Sequence, residues 1–464
     1  MVKRKNIPTF LTSLLKNKEE SRYARMIYAA IILLFILSAR LFYMQVVEGS
    51  YYKEEADGNR IRSIPVQATR GVMYDRNGVI LAGSRPAYSV IMPVDRKGNT
   101  LSDDELQKLS VLLKMPVADL KKKIEDNKRA FGAIYLANDV GVDVATQIEE
   151  KKDDFPGIQI EVNPLRVYPL GAAGAQVLGY VGEAGPDDKD ADGNPYTTAT
   201  LIGRAGIERK YNQYLEGKNG SKTIEVNASG QPVGYVGGTP AVSGNNIRLT
   251  LDANLQKAAE DAIDSQVKIL AKSGIYATGA SAVAIDPNSG AVLAMVSEPS
   301  YDPNRFSKGI STADWNQIIN NKNHPMQNRT IASMYPPGSL FKVVTGAAAL
   351  EAKVMSPTER IFDSGKHWLV DKRNAQGEAF GWIDFYEALE KSDNVYFYEM
   401  GRRLGIDKLS QMAREFGLGK PTGIDLAGEA DGNVASEEYK KKVFDQDWYL
   451  GETMDAAIGQ SYTL

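Results

Sequence analysis

The 464-residue chain has no cysteine and only two histidines, His324 and His367. The first absence removes disulfides, thiolate nucleophiles and cysteine-ligated zinc, and leaves the redox compartment open. The second leaves a Ser-His-Asp triad or a multi-histidine metal centre almost nothing to draw on. Each histidine reads as an ordinary surface or loop residue. No charge of one sign dominates either. With 55 Lys and Arg against 58 Asp and Glu, the formal net charge is -3, so no phosphate-binding surface and no nucleic-acid partner are expected. Hydrophobic residues at 43% and charged residues at 24% fit two or three domains with sizeable cores and exclude a disordered chain.

Long apolar runs are scarce, with one exception. Met26 to Val47 carries a single charge, Arg40, and as a helix rising 1.5 Å per residue it would be about 33 Å long, enough to cross a bilayer core. Lys3, Arg4, Lys5, Lys16, Lys18, Arg22 and Arg25 precede it, and Glu48, Glu54, Glu55 and Asp57 follow. This asymmetry puts residues 1–25 in the cytoplasm and the chain beyond 47 outside it. No small-x-small cleavage site follows, so 26–47 reads as an uncleaved signal anchor.

Outside the membrane the pattern is α+β. Short strand-like runs such as Tyr88 to Met92 alternate with amphipathic helical stretches at Asp103 to Leu113 and Val117 to Asn127. A strand at Ile247 to Leu251 leads into a helix capped by Asp252, and the domain boundary is placed near residue 244. Ser281 to Ile285 and Ala291 to Val296 flank Asp286-Pro287-Asn288-Ser289-Gly290, a hairpin signal. The acidic stretch Asp188 to Gly193 matches half a calcium loop, but Ala199 stands where a bidentate Glu is needed and Pro195 interrupts it, so it reads as a solvated turn.

The chemistry concentrates at Tyr335-Pro336-Pro337-Gly338-Ser339-Leu340-Phe341-Lys342. Four Ser-x-x-Lys pairs occur, at Ser13/Lys16, Ser50/Lys53, Ser265/Lys268 and Ser339/Lys342, but only the last follows a Pro-Pro-Gly stop and opens an apolar helix. Residues three apart share a helix face, so Lys342 is expected to lie over Ser339 and take its proton. Leu340, Phe341, Val343, Val344, Ala347, Ala348 and Leu350 predict a helix buried nearly all round, which would desolvate Lys342 and favour its neutral form. Ser392-Asp393-Asn394 follows, just before the aromatic run Val395 to Tyr398. Such a loop can supply a hydroxyl to relay a proton and an amide to hold a peptide.

In this order the two motifs resemble the penicillin-binding proteins, serine acyltransferases of the β-lactamase-like fold. Arg70-Gly71-Val72-Met73-Tyr74-Asp75-Arg76-Asn77-Gly78 and Gly203 to Glu208 resemble motifs of the class B N-terminal module. Asp286 to Gly290, Pro299 to Asn304 and Asn328-Arg329 resemble the segments leading to the nucleophile. Pro421 to Leu426 with Gly459-Gln460 is similar to elongation-type members, with a division-type relative as the alternative.

The resemblance implies a dimerisation or pedestal module over 48–244 and a β-lactamase/transpeptidase-like domain over 245–464. It implies a D,D-transpeptidase with Ser339 as nucleophile, Lys342 as base, Ser392 as relay and Asn394 as substrate holder, without metal or organic cofactor. Peptidoglycan stem peptides are the implied substrate, β-lactam antibiotics the implied inhibitors, and a membrane glycosyltransferase or other elongation factor the implied partner. The family's third motif, Lys-Thr/Ser-Gly, is not found before Leu464, and Lys420-Pro421-Thr422-Gly423 does not match it. The transpeptidase domain therefore reads as C-terminally truncated, and a catalytically silent membrane-tethered interaction module stays open as a second reading.

Overall fold

The structure is a computed structural model that describes residues 20–53, 61–93, 101–126, 133–155, 157–185, 187–190, 193–196, 200–226 and 232–464. Lys3, Arg4, Lys5, Lys16, Lys18, Glu54, Glu55, Asp57 and the Ser13/Lys16 pair lie outside these residues, as do Asn127, Ala191 and Asp192.

The apolar run forms a helix, Glu20–Phe42, that starts before the expected Met26 and ends in a π-helical turn, Tyr43–Val47. Glu48 N donates to Tyr43 O at 2.9 Å to close that turn. Among the described residues none covers its apolar side chains, with Leu34 67% and Phe35 73% exposed, and the mean hydropathy over Arg25–Val47 is 2.1. A helix that satisfies its own backbone while presenting bare hydrocarbon suits a bilayer core. Arg40, the one charge within Met26 to Val47, lies 5.6 Å over the Tyr43 ring.

The chain divides into two compact units, Met1–Ala68 with Lys218–Val242 and Thr69–Gly217 with Ser243–Leu464. The first contains a three-stranded antiparallel sheet with Gly220–Val226 between Ile61–Val66 and Pro232–Thr239.

In the second unit a five-stranded sheet is organised by one long strand, Ile80–Pro93, which absorbs the expected Tyr88 to Met92 run. It pairs antiparallel with Met73–Tyr74, Ala133–Val140 and Gln159–Val167. Only Ile247–Arg248 of the expected Ile247 to Leu251 strand is in the ladder, parallel to Met73–Tyr74. Leu249 N still donates to Tyr74 O, but Thr250 turns its hydroxyl to Val292 O and the chain leaves the sheet.

Helix Asp103–Leu113 starts with a capping box, in which Ser102 and Glu105 exchange bonds, and it buries Leu106 and Leu109. Asp252 caps the long helix Ala253–Lys272 as expected, and its other oxygen accepts from Asn77 Nδ2 at 3.0 Å. Buried Asp75 accepts from Ala253 N at 3.0 Å and from Asn77 N and Val79 N. One turn thus ties the sheet to the helix start. The expected hairpin is present as Ala280–Ile285 paired with Val292–Glu298. Beyond it, α-helices pack around Phe341, Ala349, Phe397, Met400, Leu409 and Met454.

The two motifs of the N-terminal module meet at Glu208, which is fully buried. Its carboxylate accepts from Arg70 Nε at 2.6 Å, Arg166 Nε at 2.7 Å and the Tyr168 hydroxyl at 3.1 Å. Arg166 also donates to Gly71 O at 2.6 Å, so one carboxylate fastens strand Gln159–Val167 to the segment that opens the unit. Two buried guanidiniums around one carboxylate are stable only while the carboxylate is there. In the Asp188 to Gly193 turn, Asp188 accepts from Gly185 N at 2.7 Å and pairs with Arg204 at 2.8 Å, a structural use of its charge. Glu208→Ala is expected to destabilise the folded unit by ~3–5 kcal/mol in urea unfolding. A loss under about 1 kcal/mol would show that the arginines are not held by this carboxylate.

Candidate active site

Gly338 takes a positive φ of 57° after Pro336-Pro337, which only a residue without Cβ adopts readily. Gly338–Phe341 then forms a 3₁₀ turn, and the α-helix proper runs Lys342–Glu351. Ser339 therefore sits in the tight turn, exposed, one step before the α-helix whose first residue is the buried Lys342.

That turn is clamped from outside. Gly338 N donates to Gly459 O at 2.9 Å, and Thr345 Oγ1 donates to Ala457 O at 2.7 Å. Gly459 itself has φ 72°, and a Cβ there would stand 2.1 Å from Gly338 O and 2.7 Å from Gly338 N. Only glycine allows this approach.

Lys342 is 1% exposed, and its ammonium donates to Ser392 O at 2.6 Å, Ser392 Oγ at 3.1 Å and Asn394 Oδ1 at 2.7 Å. It also lies 5.6 Å over the Phe397 ring. All three N–H donors thus have partners. Burial pushes its pKa down to about 8, against the opposing pull of Asp393.

The cradle for this lysine is built locally. Asp393 N donates to Ala388 O at 2.9 Å, and its side chain caps helix Asn394–Leu404 by accepting from Tyr396 N at 2.9 Å. Asn394 N donates to Asn374 Oδ1 at 2.8 Å. Ser392, at the corner, is held at φ 55°, a strained value for a residue with Cβ, and this turns both its carbonyl and its hydroxyl toward Lys342.

Three of the four expected site residues, Lys342, Ser392 and Asn394, therefore come together, with one difference from expectation. The Lys342 ammonium binds Ser392 and Asn394, and the Ser339 hydroxyl makes no hydrogen bond to any described residue. The direction of the ammonium accounts for this, because Ser392 O, Ser392 Oγ and Asn394 Oδ1 take all three of its N–H groups. The expectation of a helix buried nearly all round is also corrected, since Leu340 is 81% and Val343 56% exposed.

Burial separates Lys342 from Lys53 and Lys268, which are exposed. Lys268 is exposed and bonded to Asp264, while Ser265 bonds the backbone of Asp261. Lys420 and Thr422 lie in non-strand backbone, with Thr422 bound to Glu429. His324 is an exposed loop residue, but His367 is not. It is buried and 3.1 Å from Glu399, because a carboxylate already holding Arg402 and Arg403 provides a polar partner inside the core. Burial alone would raise the Glu399 carboxyl, but these donors with Trp368 bring it down to about 2. Among the described residues no cluster of three or more His, Asp or Glu is arranged to hold a metal ion. The sequence reading passed over Asp363 and Asn374, which brace the cradle and belong to no recognisable motif.

Comparison with known proteins places this geometry in a family. Residues 65–249 match the penicillin-binding protein dimerisation domain, and residues 280–464 match the penicillin binding protein transpeptidase domain. The peptidoglycan D,D-transpeptidase MrdA of Escherichia coli strain K12 is 35% identical over 454 residues, which cover 95% of this chain and 69% of that protein. The penicillin-binding protein PBP2 of Helicobacter pylori, solved in complex with MreC, superposes with a TM-score of 0.73 at 29% identity, over 87% of this chain and 74% of that one. A solved peptidoglycan synthase complex, described as coordinating polymerization and crosslinking, matches with a TM-score of 0.65 at 28% identity, over 95% of this chain and 74% of that one. A mixed α and β chain with one N-terminal apolar helix, a dimerisation region and a transpeptidase region, it belongs to the PBP2-type penicillin-binding protein transpeptidases.

Proposed function

We propose that the chain is a penicillin-binding peptidoglycan D,D-transpeptidase that crosslinks stem peptides in cell-wall synthesis and cell-shape maintenance through an acyl-enzyme on Ser339. The observation that carries the reading is Lys342, a buried lysine whose pKa falls to about 8 and whose partners are the Ser392 and Asn394 of the second motif. At neutral pH about a tenth of such a lysine is neutral, against less than a thousandth at its ordinary value.

In the proposed sequence, neutral Lys342 accepts the Ser339 proton as Oγ attacks the carbonyl of the penultimate D-alanine. Ser392, hydrogen-bonded to Lys342, passes a proton to the departing D-alanine amine, leaving the acyl group on Ser339. An amine from a neighbouring stem then attacks the ester and forms the crosslink. Asn394 holds the peptide backbone, and a β-lactam acylates the same serine.

The division into a cytoplasmic tail at 1–25, an anchor at 26–47, a pedestal at 48–244 and a transpeptidase domain at 245–464 is part of the proposal, supported by the apolar helix and the two family matches. The basic residues before the helix support a cytoplasmic N-terminus with the catalytic region outside. The relatives solved with MreC and in a synthase complex support a docking role for the pedestal toward wall-elongation factors, including a membrane glycosyltransferase.

Labelling of the detergent-solubilised chain with a fluorescent penicillin tests this directly. Ser339→Ala is expected to abolish the covalent label, and Lys342→Ala to slow its formation by ~10²–10⁴. Label that survives Ser339→Ala would remove the serine from its assigned role. The labelling rate should rise about tenfold per pH unit until Lys342 is neutral at about 8, then level off. Gly459→Ala should leave the circular dichroism spectrum unchanged and slow labelling by up to ~10² by displacing the Ser339 turn. An unchanged rate would show that the Gly338–Gly459 contact does not position the serine.

A further inference from the structure

Behind the Lys342 cradle lie two buried carboxyls that the mechanism does not use. Asp363 ends strand Ile361–Asp363 and is 1% exposed; Asp393 precedes helix Asn394–Leu404 and is fully buried. Asp363 is well supplied with donors, accepting from Gly365 N at 2.7 Å and from Asn374 Nδ2 and Phe380 N at 2.8 Å each. Asp393 is not. Its Oδ1 accepts from Tyr396 N, whereas its Oδ2 has no partner among the described residues. The side chain within hydrogen-bonding reach is that of Asp363, and the backbone N–H of Val395 also faces the Asp393 carboxyl.

Two carboxylates only accept, so they cannot bond to each other while both are ionised. A single proton changes this, because Asp393 Oδ2 then becomes a donor with Asp363 as its acceptor. Asn374 fixes the arrangement, donating to Asp363 while its own oxygen accepts from Asn394 N and Val395 N. We propose that Asp363 and Asp393 form a proton-binding carboxyl pair that acts as a positioning and charge-setting element for Lys342. This rests on the reading of Ser339 and Lys342 as the catalytic pair.

The groups that face Asp393 are Asp363 from its strand, Lys342 from the nucleophile helix and Tyr396 one turn further along its own helix. Glu359, Arg403 and Asp384 surround Tyr396. Burial, and then the Asp363 charge, push the Asp393 carboxyl up to about 6. Ionised Asp393 favours the ammonium form of Lys342, whereas protonated Asp393 withdraws that support. As pH falls through this range, the pair therefore offsets part of the protonation of the base. Its folded-state proton affinity exceeds that of an unfolded aspartate, so its contribution to stability is present in acid and is lost as pH rises through about 6.

The test needs no acylation, so it fails or succeeds independently of the transpeptidase reading. Carboxyl NMR of the full chain labelled with ¹³C-aspartate should show one signal titrating near 6 that is missing in Asp393→Asn and moves to lower pH in Asp363→Asn. The melting temperature of Asp393→Asn relative to the parent should rise between pH 4 and pH 7, because the variant cannot lose the proton. Carboxyl signals that all titrate below about 5, or a signal near 6 that persists in Asp393→Asn, would overturn the proposal.

Discussion

The site depends on the burial of one amine. Lys342 is almost removed from water, yet each of its three donors finds an oxygen, two from Ser392 and one from Asn394. Full hydrogen bonding is what allows the side chain to be buried; the loss of hydration is what lowers its pKa, against the opposing pull of Asp393. A fall from 10.5 to about 8 corresponds to about 3 kcal/mol of bias against the charged form.

The surrounding fold holds this burial in place. Phe397 and the helical core close over the lysine stem, and Asp393 caps the helix that delivers Asn394. Gly459 admits the backbone contact that presses the Ser339 turn from the far side. Ser339 and Lys342 are thereby held by different contacts, the 3₁₀ turn at Gly459 and the first α-helical residue at Ser392. In the same unit, Glu208 plays a comparable part for the segments around Arg70 and Arg166, with charge complementarity in place of desolvation.

Features set by neighbours in sequence were legible. The capping role of Asp252, the hairpin at 280–298, the helix Asp103–Leu113 and the apolar span follow from turn chemistry, capping and periodicity, and all are present. Both serine motifs were legible because their residues stand close together in the chain. What escaped was set by distant contacts. Nothing local marks Asn374 as the partner of Asn394 N, Asp363 as the neighbour of Asp393, or His367 as a buried companion of Glu399. The three-residue spacing likewise said nothing of where Ser392 and Asn394 would stand, and so assigned to Ser339 a bond that the ammonium makes to Ser392.

Titration of the Lys342 amine in the intact chain, followed by heteronuclear NMR of lysine-labelled protein and assigned with Lys342→Arg, tests the central claim most directly. The expected midpoint is about 8, the value that burial in this cradle imposes. A midpoint at the ordinary lysine value of 10.5 would mean that the amine is solvated and charged, and that the buried base on which the mechanism rests does not exist.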